Sequence, residues 1–142
     1  MKFKQLKQID AIYGKLLADE KYKQTKIVYA LKRFSEKNLV KMFGDYNKEL
    51  EDIRIDNALT DKDTQAILYE EKGGSYKYSK EGLKAVLKKT REVSEEWNEK
   101  EFEVEPFICK EIPKGLILEE DELEVLEGVI LEKSVDLKPV KN

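Results

Sequence analysis

The chain has 142 residues, 40% of them apolar and 40% charged, with a net charge of −3, no histidine and a single cysteine. These counts exclude imidazole acid–base catalysis, histidine-ligated zinc and thiol–imidazole pairs, and they leave no internal disulfide. Charge well above the usual share of about a quarter suits helices with one narrow apolar stripe, and the length supports one buried core without a metal or crosslink.

Residues 2–18 carry Phe3, Leu6, Ile9, Tyr13, Leu16 and Leu17, with Ile12 flanking, at helical spacings of three and four. Asp19-Glu20-Lys21 breaks the pattern, and Thr25 is a possible cap for a second helix. That helix is expected over 22–59, with a stripe running Ile27, Leu31, Phe34, then Leu39, Met42, Tyr46, Leu50 and Ile53. At 1.5 Å per residue it would be roughly 55 Å long. The first helix covers less than half of it, so the remaining stripe must meet the rest of the chain or a second copy.

Ala66 to Glu71 and Tyr76 to Tyr78 then flank Gly73-Gly74, which suits a β-hairpin with both glycines at positive φ. Placing the pair at the tip sets Glu71 opposite Tyr76, Glu70 opposite Lys77 and Tyr69 opposite Tyr78. Ser79 is placed to cap a third helix over about 80–98, whose stripe is Leu83, Val86, Leu87, Thr90, Val93 and Trp97. Trp97 reads as a core anchor. Glu101 to Glu105 alternates with period two, the pattern of a half-buried strand, which Pro106 ends or places at an edge. Glu119 to Glu127 reads as a short acidic helix stopped by Gly128, followed by a last strand at Val129-Ile130-Leu131. Residues 133–142 read as a frayed tail.

Charge divides along the chain. Residues 1–48 hold 12 Lys/Arg against 5 Asp/Glu, a net of +7, whereas residues 99–132 hold 3 against 12, a net of −9. Such poles can fold together, join copies head to tail, or present one pole to a partner.

Tests for chemistry return little. No phosphate-binding glycine loop occurs. Asp61-Lys62-Asp63-Thr64-Gln65 begins like a calcium loop, but its sixth position is Ala66 and its twelfth is Lys72, which removes the turn glycine and the bidentate glutamate. Cys109 has no histidine to activate it and reads as a buried free thiol beside Ile108. No catalytic, cofactor-binding or metal residue is expected, and the chain reads as non-enzymatic. The N-terminal lysines could touch phosphate, but Tyr13, Tyr22, Tyr29, Phe34 and Phe43 fall largely on the helical stripe. Arg33 and Arg54 alone supply arginine to the first sixty residues. No apolar signal segment follows Met1-Lys2-Phe3-Lys4, and no run is long enough to span a bilayer.

Three features resemble small uncharacterised proteins encoded by tailed bacteriophages. They are the Ile67-to-Tyr78 hairpin with its following helix, Val104-Glu105-Pro106-Phe107 running to Glu111-Ile112-Pro113, and the acidic helix leading into Leu126-Glu127-Gly128-Val129-Ile130. The resemblance covers about residues 50–131, implies a phage origin and carries over no catalytic residue.

The resulting expectation is an α+β fold: a helical hairpin with one long helix, a β-hairpin, a third helix and an acidic strand–helix end. An almost all-helical chain with the C-terminal strands as extended loop is the alternative. A single domain would span 1–132, with a helical hairpin in 1–60 and the hairpin–helix–acidic part in 61–132. The function expected is protein–protein interaction, as a virion or assembly component or a host-directed inhibitor, in bacterial cytoplasm or in the phage particle. A homo-oligomer, most simply a dimer, is expected. The alternative is a non-specific nucleic-acid binder using the lysine-rich helices.

Overall fold

Apolar residues three and four apart generate the helices of this protein, and the turn chemistry between them sets where each one starts. The structure, a computed structural model, describes residues 1–133. The expected tail, apart from Lys133, lies outside the described residues. The helices are α1 (Phe3–Leu17), α2 (Lys26–Phe34), a π turn (Ser35–Leu39), α3 (Val40–Asn57), α4 (Lys80–Asn98) and α5 (Glu120–Leu126). Since α2, the π turn and α3 follow without a break, they form one long helix. Thr25 stands at its N-cap in extended conformation. Ser79 caps α4, its Oγ accepting the Gly82 N–H at 2.9 Å.

The π turn explains why the apolar stripe steps by five between Phe34 and Leu39. Five residues in an α-helix would place the two side chains far apart in angle. A turn bonded i to i+5 is wider and brings them to one side. Both are buried.

The α+β expectation is overturned. Helices take up 55% of the described residues, and among these there is no strand or sheet. In place of the hairpin, residues 58–79 form a loop whose backbone pairs among three segments. Leu59 N–H donates to Lys77 O, Lys77 N–H to Leu68 O, and Leu68 N–H to Leu59 O, at 2.8, 2.9 and 2.9 Å. Partners shared three ways leave no two-strand ladder to propagate. The register also differs: Tyr69 bridges to Tyr76, not Tyr78, because Glu70 N–H reaches Ser75 O across a four-residue turn. Gly73 and Gly74 do take positive φ, 84° and 68°. Their Cβ positions face open space, so a side chain there meets a conformational penalty, not a clash. Replacing both by valine is expected to lower stability by about 2 kcal/mol or more, at roughly 1–2 kcal/mol per left-handed residue. Urea unfolding measures it, and an unmoved midpoint would contradict it.

The acidic strands are corrected too. Glu101 makes one isolated bridge, to Lys2, and residues 102–105 have no ladder. Residues 126–131 curl so that Leu126 O accepts the N–H groups of Val129, Ile130 and Leu131 at 2.9–3.2 Å, with Gly128 at φ 82°. A chain wound that tightly cannot be a strand.

The chain's contacts group into two compact units, one of residues 1–42 with 98–142, the other of 43–97. In the first, α1 packs against both α2 and α5. Phe3, Leu6, Ile9, Ile12 and Leu16 of α1 are buried, as are Ile27, Leu31 and Phe34 of α2, and Leu126, Ile130 and Leu131 beyond α5. Ile12, not Tyr13 or Leu17, completes the α1 stripe. In the second unit α4 runs antiparallel to α3. Trp97 meets Tyr46 edge-on with ring centres 5.4 Å apart and donates its indole N–H to Glu49 at 2.7 Å, while Gly82 lies against the Asn57 carbonyl.

Candidate functional site

Ion pairs account for much of the N-terminal charge. Lys2 and Lys4 grip Glu99 at 2.7 and 3.1 Å, and Lys26 meets Glu111 at 2.8 Å. Lys37 reaches Glu105 at 3.7 Å, and Lys15 meets Glu122. Each of these pairs joins the basic segment to the acidic one inside the first unit. Lys2, then Lys4, holds the Glu99 carboxyl below its ordinary range. Exposed pairs of this kind stabilise little one by one. They do mean that the two poles meet within one chain, which weakens the case for electrostatic joining of copies.

Asp61 Oδ1 accepts the N–H groups of Asp63 and Thr64 at 2.8 and 3.0 Å, so it serves the turn, and those bonds hold its carboxyl low. Among the described residues no three potential ligands converge on a metal position. Cys109 is buried, and its thiol lies 3.1 Å from the Glu111 carbonyl as donor. Ile108 beside it is exposed. Of the five aromatics weighed against phosphate contact, Tyr22 and Phe34 are buried, Tyr13 and Phe43 half-buried and Tyr29 exposed. Tyr22 donates its hydroxyl to Gly115 O at 3.0 Å.

Two surfaces stand out. The first is a groove of about 560 Å³ in unit one, between α2 and residues 107–111. Lys26, Tyr29 and Arg33 line one wall, and Ile108, Lys110 and Glu111 line the other. Its second wall is positioned by the pairing of Phe107 and Cys109 N–H with the carbonyls of Val129 and Ile130, at 2.8 and 2.7 Å. Asn38, on the π turn, fixes the approach: its Nδ2 donates to Glu105 O and its Oδ1 accepts Glu105 N–H, at 2.9 and 2.8 Å. Sequence reasoning missed this groove. Its signal was the bracketing of a short apolar stretch by Pro106 and Pro113.

The second surface belongs to residues 43–97. Val86 and Trp97 are the buried apolar side chains described there, whereas Leu87 is 62% exposed, Leu83 46%, and Ile55, Leu59, Leu68 and Tyr69 are exposed as well. Tyr69 and Tyr76 pack with ring centres 5.3 Å apart and planes tilted by 59°. Tyr76 donates its hydroxyl to the Glu51 carboxylate, and that bond pushes the phenol up from 10.0 to about 12. The folded chain therefore favours the protonated phenol. Its stabilisation is whole below pH 10 and drains away as the pH rises from 10 towards about 12. The difference in melting temperature between the wild type and Tyr76→Phe is expected to shrink across that window. A difference that stays constant with pH would contradict the assignment.

Among the described residues no helix is long and apolar enough to cross a membrane. Compared with protein-family models, with curated proteins and with solved structures, the chain matches none.

Proposed function

We propose that this is a non-catalytic, phage-encoded protein that acts by binding other proteins, either in the virion and its assembly or as an inhibitor of a host protein. The observation that carries the reading is the surface of residues 43–97. A unit that buries two apolar side chains and exposes Leu83, Leu87, Ile55 and Leu59 gains much of its stability by covering them. A second copy is the first occupant assigned to this face, giving a homodimer.

The lysines of the basic segment support the nucleic-acid alternative less, since five of them already face carboxylates. Affinity purification from infected cells tests the reading, with wild type and Leu83→Asp/Leu87→Asp compared. A stoichiometric protein partner that is reduced by the double variant is the expected result. Mass spectrometry of purified particles then separates virion component from host-directed factor. Recovery of no protein, together with a shift of labelled DNA at low salt, would overturn the reading.

A further inference from the structure

The geometry points to the groove of unit one as a binding site for an acidic peptide segment in extended conformation. Phe107 and Cys109 turn their N–H groups inward to Val129 and Ile130. N–H groups two residues apart that face one way are the pattern of extended backbone, so those of Ile108 and Lys110 face the other way. Both residues line the groove, and among the described residues neither N–H meets an acceptor. An exposed backbone edge of this kind is completed by an extended peptide laid alongside it.

Side chains choose the sign of that peptide. Lys26 is engaged by Glu111, while Arg33 and Lys110 have no ion-pair partner among the described residues. The groove therefore offers two uncommitted cations, one on each wall. Arg33 can hold a carboxylate with two parallel bonds. Tyr29, 57% exposed on the same face of α2, offers a ring to an apolar residue of the peptide. The volume lies inside the range of about 300–1,000 Å³ typical of ligand clefts, enough for a few residues. A nucleic-acid strand fits less well, because it would leave the backbone edge unpaired.

This deepens the protein-interaction reading and rests on it, but it uses a surface remote in sequence from α4. The test is fluorescence anisotropy of the full chain with a labelled peptide alternating glutamate with valine and phenylalanine. Its lysine counterpart, a copy N-methylated at alternate residues and a labelled oligothymidine are the comparisons. The acidic peptide is expected to bind, with Arg33→Glu weakening it about tenfold or more. N-methylation should weaken it on whichever register uses the methylated groups. Amide exchange at Ile108 and Lys110 should slow in the complex. Leu83→Asp/Leu87→Asp should leave peptide binding intact, so that failure of the groove and failure of the α4 surface are told apart. No binding, equal binding of the lysine peptide, indifference to N-methylation, or preference for the oligonucleotide would each overturn the proposal.

Discussion

Truncating Phe34 to alanine is expected to destabilise the protein by about 3–5 kcal/mol, the cost of emptying an enclosed aromatic position. Phe34 is 0% exposed and stands at the last position of α2, where the helix widens into the π turn. Leu31 and Leu39, which flank it along the helix, are buried with it. Whole-domain stabilities run about 5–15 kcal/mol, so the loss is a large fraction of the total. For a chain of this size it corresponds to a fall in melting temperature of roughly 10 °C or more. Ile117→Ala is the matched control, since its side chain is 69% exposed and its loss should move stability by less than about 0.5 kcal/mol. Urea unfolding of the two variants decides it. Equal effects would mean that burial does not rank these positions.

Replacing Leu83 and Leu87 by aspartate is expected to turn a dimer into a monomer. Both side chains lie on α4, one turn apart, and neither is enclosed by its own chain. Burying a leucine is worth about 1.5–3 kcal/mol, so losing two from each copy should raise the dissociation constant at least about a hundredfold. Because the charged segments already pair inside unit one, apolar packing is left as the main attraction. The wild-type dimer should therefore persist at 0.5 M salt, where screening reaches within a few ångströms. Sedimentation at micromolar concentration reads this directly. A wild-type monomer at both low and high salt would end the dimer proposal, and a dimer that dissolves only in salt would return the attraction to the charges.

The helices themselves and the buried stripes of α1 and α2 were legible because they depend on neighbours within four residues, although the long helix starts at Lys26 and not at 22, and Leu83 and Leu87 of the expected α4 stripe are exposed. Ser79 before α4, Thr25 before α2, and the spacing from Phe3 to Leu16 all belong to this local class. The extended segments were not legible, and Glu101 to Glu105 explains why. Its alternation was read correctly as alternation: Phe102 and Val104 are half-buried, and the three glutamates are exposed. Period two reports which side chains face inward, not whether a second backbone lies alongside. Here the partners are scattered: Lys2 bridges to Glu101, Met1 pairs with Phe102, and the Asn38 side chain takes Glu105, so no ladder forms. The glycine pair shows the same division. Positive φ at Gly73 and Gly74 follows from their chemistry, whereas the loss of a two-strand ladder depended on Leu59, a residue outside the window from which a hairpin is read. The groove had no helical or strand period at all. It arises from α2 and residues 107–111 coming together, a long-range event whose one local trace is the apolar stretch between Pro106 and Pro113.

The order in which a ribosome releases this chain makes the discontinuity of unit one consequential. Residues 1–42 emerge first, yet the unit they belong to is completed only by residues after 97. The second unit, continuous in sequence, emerges in full between those two parts. At roughly 5–20 residues per second, Phe3, Leu6 and Ile9 wait several seconds before Leu126 and Ile130 exist to cover them. Until residues 99–102 emerge to meet Phe3, α1 has only α2 to lean on. A nascent chain stalled between residues 43 and 98 therefore carries an uncovered apolar helix pair, the kind of surface that draws holdase chaperones. Ribosome profiling of chaperone-bound nascent chains would find the engagement beginning after α2 and ending once the Leu126 turn clears the exit tunnel.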